Sequence, residues 1–98
     1  MSVNNNINHH LPLQFNQVVA DKFEQKAQIF FADEKKKFRG LAYHKAAKAI
    51  RALDRSLLDI YASGWLVGIQ KIDGIGNRIA HEIETEIKKN KKRSTASL

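Results

Sequence analysis

From Phe15 onward the apolar positions fall at Phe15, Val18, Val19, Phe23, Ala27, Phe30 and Phe31. This spacing of three and four predicts a first helix from about Leu13 to Ala32. The stretch "ADEKKK" breaks the period and reads as a polar turn. A second helix carries Phe38, Leu41, Ala42, Ala46, Ala49, Ile50 and Leu53 on the face expected to be buried. Arg39, Lys45, Lys48, Arg51 and Arg55 lie on the other face. Ala42, Ala46 and Ala49 are small enough to let a neighbouring helix approach closely, and Gly40 should leave the amino end of this helix irregular. A third, short helix follows, with Ser56 as its N-cap, Leu57, Leu58, Ile60 and Tyr61 as its apolar face, and Gly64 in the left-handed position past its end. "WLVGI" then reads as either a tight buried connection or one more helical turn. The last helix is expected from about Asn77 to Asn90, with Ile79, Ala80, Ile83 and Ile87 turned inward. No stretch alternates as a strand does, and no internal repeat is evident. The pattern predicts an all-α fold, a small bundle of four to five helices.

Composition bounds this picture. Ninety-eight residues make one domain, able to bury roughly two thirds of its unfolded surface. The first dozen residues are asparagine-rich and aperiodic, so residues 1–12 read as a disordered polar tail, 13–90 as the folded domain and 91–98 as a flexible basic tail. The absence of cysteine excludes disulfides and thiolate metal sites and fits a reducing compartment. With no secretory signal pattern and no long apolar run, the expected location is intracellular, in the cytoplasm, nucleoid or nucleus, with no membrane partner.

Charge changes the picture more. The formal net charge is +7, unevenly distributed. Residues 35–55 carry +7 and residues 88–98 carry +5, while the segments between and before them are weakly acidic. Two basic blocks around a near-neutral middle point to a polyanion, and among polyanions to nucleic acid.

The segment "KIDGIGNRIAHEIETEI", from Lys71 to Ile87, places Gly74 and Gly76 around a single isoleucine at the head of the last helix. Glycine permits backbone angles that a Cβ would penalise and lets another backbone come close. Ile75 between them should plug into the core. The first amides of the helix, from Gly76, Asn77 and Arg78, have no intrahelical acceptor and sit at the positive end of the helix dipole. Together they make an anion site. Ala80 is small because the preceding helix should cross there.

The spacing Ile69, Ile72, Gly74, Ile75, Gly76, Ala80, Ile83 resembles the helix-hairpin-helix motif, which holds DNA backbone phosphate without reading sequence. With "FRGLAYHKAAKAI" upstream of "IDGIGNRIAHEI", the stretch from about Phe15 to Ile87 resembles the small amino-terminal domain of family X, polymerase β-like, DNA polymerases. The resemblance implies a helical bundle whose hairpin glycines are Gly74 and Gly76. It implies a 5′-phosphate pocket that includes Tyr43, Arg39 and Arg78, and a monovalent cation, Na+ or K+, held by the backbone carbonyls of Gln70, Ile72 and Ile75. Two departures stand out. Asp73 takes the place of the family's proline and should weaken phosphate binding somewhat. Glu82 takes the place of the lysine that, in the family, forms an imine with deoxyribose phosphate. A carboxylate forms no imine, and a guanidinium such as that of Arg78 is not a usable amine nucleophile. Lys88 and Lys89 lie away from the hairpin mouth. No catalytic residue is therefore expected, and the chain has no polymerase domain.

The remaining signals are weaker. His9 and His10 stand in the tail without further ligands. His44 is either a phosphate contact or an ordinary exposed histidine, and His81 lies on a helix face. Trp65 reads as a core or partner contact more than a base-stacking platform. Glu82, Glu84 and Glu86 read as a solvated face balancing Lys88 and Lys89. The expectation is a DNA-binding protein without sequence preference, using Gly74, Gly76, Asn77, Arg78, Arg39, Tyr43, Lys45, Lys48 and Arg51. Such a domain suits an accessory role in replication, repair or compaction. The alternatives are an adaptor docking on a polymerase or nuclease (a related hairpin domain occurs in crossover-junction endonuclease subunits) and, less favoured, a deoxyribose-phosphate lyase.

Overall fold

The computed structural model describes the backbone of residues 2–96 and the side chains of residues 13–91. Its elements are α1 (Ser2–Phe31), a 3-10 turn (Glu34–Lys36), α2 (Lys37–Arg51), α3 (Leu57–Gln70) and α4 (Asn77–Ala96). The described residues contain no strand. The helical bundle matches the expected all-α class, with helix count at the lower end. The backbone of α1 begins well before Leu13, and α4 continues past Asn90. The side chains of residues 1–12 and 92–98, on which most of the two expected tails rest, lie outside the described set, His9 and His10 among them.

Val19, Phe23 and Ala27 of α1, Tyr43, Ala46, Ala47 and Ile50 of α2, Leu57, Tyr61 and Ile69 of α3, and Ile79, Ala80, Ile83 and Ile87 of α4 form the core. Burying a side chain such as Phe23 or Ile83 contributes on the order of 1.5–3 kcal/mol. The inward stripe of α4 is the expected one, and Ile75 is buried as the plug of the corner.

In α2 the expectation fails in an instructive way. Phe38 is 89% exposed and Leu41 41%, whereas Tyr43 and Ala47 are buried. The helix carries two apolar stripes, and the one centred on Tyr43, Ala47 and Ile50 meets α1. Gly40 is the reason these two helices approach so closely. A Cβ there would lie 2.9 Å from Phe31 Cδ1 and 3.0 Å from the Ala27 carbonyl oxygen. Gly40 sits inside a regular helix at a crossing, not at an irregular end.

The turn between α1 and α2 is capped by Asp33, whose carboxylate accepts the Lys35 amide at 3.0 Å. Ser56 caps α3 as expected, its hydroxyl oxygen accepting the Leu58 amide at 3.1 Å. Gly64 does not take a left-handed position; the positive φ falls at Trp65, which kinks the helix (φ 55°, ψ −152°). After that kink, "LVGI" adds another helical turn, and Trp65 and Val67 remain exposed.

Polar ties complete the bundle. Asn16 is buried. Its side-chain oxygen accepts the Leu57 amide and its nitrogen donates to the Arg55 carbonyl, both at 2.8 Å, so it fixes the start of α3 against α1. Lys89 balances Glu86 at 3.8 Å as expected, but the acidic series on α4 is not merely a solvated face. Glu86 pairs with Lys22 at 3.0 Å, Glu84 accepts the Tyr61 hydroxyl at 2.7 Å, and Glu82 accepts both Tyr43 and Lys26. Each acid reaches a different neighbouring helix, or two of them.

Candidate nucleic-acid interface

The glycine corner is built by the chain's own hydrogen bonds. The Ile72 amide donates to the Ile69 carbonyl at 3.1 Å, and the Ile75 amide donates back to the Ile72 carbonyl at 3.2 Å. This reversal requires Gly74 at φ 92°, a backbone conformation that a Cβ makes costly. A second constraint applies at the same residue. A Cβ on Gly74 would lie 3.2 Å from the Ala49 Cβ and 3.7 Å from the Lys45 carbonyl oxygen. The corner thus rests on the Lys45–Ala49 turn of α2, and the small residue Ala49 makes room for it.

Gly76 is different. Nothing lies within 4 Å of where its Cβ would be, and its backbone is not in the left-handed region. The carbonyl of Gly76 accepts the Ala80 amide at 2.9 Å, so α4 starts cleanly here. Gly76 fronts open space at the positive end of a helix.

Docking the corner on α2 creates a groove of about 640 Å³ lined by Phe38, Arg39, Leu41, Ala42, Tyr43, Lys45, Gly74, Gly76, Asn77, Arg78 and Ile79. Seven of the nine residues expected to meet phosphate are in that lining: Arg39, Tyr43, Lys45, Gly74, Gly76, Asn77 and Arg78. They come from two segments some thirty residues apart. The exposed stripe of α2 explains itself here, since Phe38, Leu41 and Ala42 form the apolar part of the groove.

The other two residues stand elsewhere. Lys48 is exposed but lies outside the lining, nearly a turn beyond Lys45. Arg51 points to α1, where its guanidinium meets Asp21 at 2.7 Å. His44 also faces α1, with Nδ1 2.9 Å from Glu24 and its ring edge against Phe31. Hydrogen bonds from Gln28 and His44 hold the Glu24 carboxyl below its ordinary value.

Only part of Tyr43 belongs to the groove. Its ring is core, edge-on to Phe23 and stacked on Phe30 with centroids 5.5 Å away in each case. Its hydroxyl donates to Glu82, whose other carboxylate oxygen takes the Lys26 ammonium at 2.8 Å. Burial, and then the hydrogen bond and charge of Glu82, push the Tyr43 hydroxyl up to about 12, against a smaller opposing pull from Arg39 and Arg78. Lys26 also stands 5.4 Å over the Tyr43 ring, and the Arg39 guanidinium lies 5.5 Å from the Phe30 ring. Sequence reading passed over Lys26 altogether. Its only signal would have been the helical spacing that sets it one turn after Phe23.

The backbone carbonyls of Gln70, Ile72 and Ile75 border the same corner. That of Ile72 already accepts the Ile75 amide, which leaves one lone pair for a cation. Neutral carbonyl donors of this kind suit a weakly held monovalent ion. Among the described residues no cluster of three or more His, Cys, Asp or Glu is placed to hold a metal. No helix of the described residues is long and apolar enough to cross a membrane.

No curated protein and no solved structure matches the chain. A family model described as a helix-hairpin-helix domain matches residues 14–92, a span that takes in all the groove-lining residues. The chain belongs to the helix-hairpin-helix domain family.

Proposed function

We propose that this domain grips the sugar-phosphate backbone of DNA without reading its sequence. The observation that carries the reading is the single groove in which Arg39 and Lys45 of α2 face Gly76, Asn77 and Arg78 at the start of α4. Three cations and a helix amino terminus converge on one open volume. A diester phosphate there would take the free amides of the first turn and charge-assisted bonds from the side chains. Phosphate contacts carry no sequence information, so affinity that arises from them is indifferent to sequence. Membership of the helix-hairpin-helix family supports the same reading. The domain then serves as an accessory in replication, repair or compaction, with a polymerase, a nuclease or another DNA-processing protein as the partner it would assist. A Na+ or K+ ion at the Gln70, Ile72 and Ile75 carbonyls would stiffen the corner but is not required for the grip.

The reading is that of a binder, not an enzyme. An imine needs a free amine at the groove. The position where the resemblance would put that lysine is Glu82, and Lys26 beside it is paired to that carboxylate; Lys45 is the amine in the groove lining itself, on α2 and not at that position. Borohydride should trap no adduct with an incised abasic site above a lysine-poor control protein. An efficient adduct mapped to an ordered-region lysine would reinstate the lyase.

Binding itself is tested by titration at several salt concentrations on two unrelated duplexes. For roughly three to five phosphate contacts, the three groove cations and exposed neighbours such as Lys48, log K should fall with log[salt] at a slope of about −3 to −5, with dissociation constants on the order of 10⁻⁴ to 10⁻⁶ M at physiological salt. A flat salt response, or a strong preference for one duplex, overturns the reading and favours an adaptor whose basic face meets protein.

A further inference from the structure

We infer that Glu82 tunes the groove for the singly charged diester within a strand and withholds it from the doubly charged phosphate of a strand end. The inference rests on the DNA-binding reading above and concerns which phosphate that site takes.

A terminal phosphate differs from a diester in two ways. Near neutral pH it carries close to a second negative charge, since the second ionisation of a phosphomonoester lies near pH 6. It also presents three acceptor oxygens in place of two. A site that favours it must therefore supply extra donors and extra positive charge. In this groove both extras are diverted. The Tyr43 hydroxyl has one proton to give, and it gives it to Glu82. The Lys26 ammonium, which overhangs the same ring, is held by Glu82 at 2.8 Å. One carboxylate thus withdraws a neutral donor and a cation from the side of the groove where Tyr43 lies. Arg39, Lys45, Arg78 and the open amides of the corner remain, enough to hold a diester without the two donors that Glu82 keeps.

Burial makes the diversion durable. Tyr43 is 6% exposed, and its ring is locked between Phe23 and Phe30. The hydroxyl cannot swing to an incoming phosphate while Glu82 accepts from it. Glu82 lies one turn along α4 from Arg78 and is not itself part of the groove lining. It acts through Tyr43 and Lys26, as a positioning residue.

The test uses two small probes, dithymidine monophosphate with a 5′-hydroxyl and the same dinucleotide with a 5′-phosphate. Each is titrated while the amide resonances of Gly76, Asn77 and Arg78 are followed by NMR. The native protein should bind the two within about twofold. Glu82→Ala should prefer the 5′-phosphate form by about tenfold, the effect of one additional charge-assisted contact. Adding Tyr43→Phe to Glu82→Ala should lower that preference, because the released hydroxyl is then gone, and adding Lys26→Ala as well should remove the rest. A purely structural role for Glu82 would weaken both probes equally and leave their ratio alone.

A native protein that already prefers the 5′-phosphate form fivefold or more overturns the inference. So does an unchanged ratio in Glu82→Ala. If Glu82→Ala loses its cooperative melt, the native ratio alone decides. If a longer duplex moves the three amides but neither dinucleotide does, the selection is wrong while the DNA reading stands. If the duplex leaves them unmoved as well, both fall.

Discussion

Gly74 and Gly76 stand two residues apart and do different work. Gly74 is held at φ 92° and pressed toward the Ala49 methyl at 3.2 Å, so its role is to let the corner turn and dock. Gly76 has ordinary backbone angles and open space where a Cβ would be, so its role is to leave the groove clear. Gly74→Ala should lower stability by about 1–2 kcal/mol from the left-handed backbone alone. Gly76→Ala should leave the melting temperature unchanged or raise it slightly, through the entropy of the unfolded chain. Its methyl would occupy the approach to the first-turn amides, and DNA affinity should fall about tenfold, as expected for one lost charge-assisted bond. Thermal melts and DNA titrations on both variants separate the roles. A Gly76→Ala protein that binds as tightly as the parent would reduce the corner to a structural turn. Tyr43 gives a second residue-scale outcome. With its hydroxyl pushed up to about 12 in the folded state and ordinary near 10 when unfolded, the folded protein binds the proton more tightly. Stability from this group is complete below pH 10 and is lost as pH rises from 10 through 12, by on the order of 2–3 kcal/mol. The difference in unfolding free energy between the native protein and Tyr43→Phe, measured across that range, isolates it from lysine titration. A constant difference would show that burial and Glu82 do not raise the hydroxyl.

Among the elements, the buried stripe of α4 was readable because one face is apolar and the other is not. Its stripe Ile79, Ala80, Ile83 and Ile87 has one possible use, and all four residues are buried. Helix α2 was half readable. It carries apolar residues on two faces, and periodicity has no means of telling a core from the apolar side of a groove. Phe38 and Leu41 were therefore expected inside, and Tyr43 was expected only as a pocket hydroxyl. The deciding contact is the α1 crossing at Gly40, which joins residues nine or more positions apart in sequence. Local propensity and packing disagree about that residue. Alanine in a helix interior is favoured over glycine by up to about 1 kcal/mol. The Cβ would sit 3.0 Å from the Ala27 carbonyl oxygen, a backbone atom that cannot rotate away, and overpacking of this kind costs roughly 1–3 kcal/mol. Packing should win. Gly40→Ala is expected to lower the melting temperature by a few degrees, at roughly 4–8 °C per kcal/mol for a domain of this size. A higher melting temperature would show that α1 and α2 can slide apart without loss. The polar ties of α4 were not readable for a related reason. Glu82, Glu84 and Glu86 alternate like a solvated face in sequence, yet their partners Tyr43, Tyr61 and Lys22 stand 23 to 64 positions away.

At the scale of the whole molecule, the basic charge of α2 divides between binding and holding the fold. Arg39 and Lys45 line the groove with Arg78, while Arg51 is turned to α1 and neutralised locally by Asp21 at 2.7 Å. The linear charge count treats these residues alike, because the count cannot see which side of the helix α1 covers. Their contributions to DNA binding should differ accordingly. Each groove cation that meets a phosphate releases about one counterion, so Lys45→Ala and Arg78→Ala should each flatten the salt slope by about one and weaken every sequence equally. Arg51→Ala removes the same formal charge from the same molecule. Its loss should change the slope by much less than one, because that charge is compensated before DNA arrives, and an exposed ion pair such as Arg51–Asp21 contributes only about 0–1 kcal/mol to stability. Lys48 is the intermediate case, exposed near the groove but outside it, and its replacement should fall between the two. Salt titrations of the four variants against one duplex give the ranking directly. Equal slope changes for Lys45→Ala, Arg78→Ala and Arg51→Ala would mean that DNA responds to the net charge of the domain and not to the groove. A larger effect from Arg51→Ala than from Arg78→Ala would move the binding face to the α1 side and away from the glycine corner.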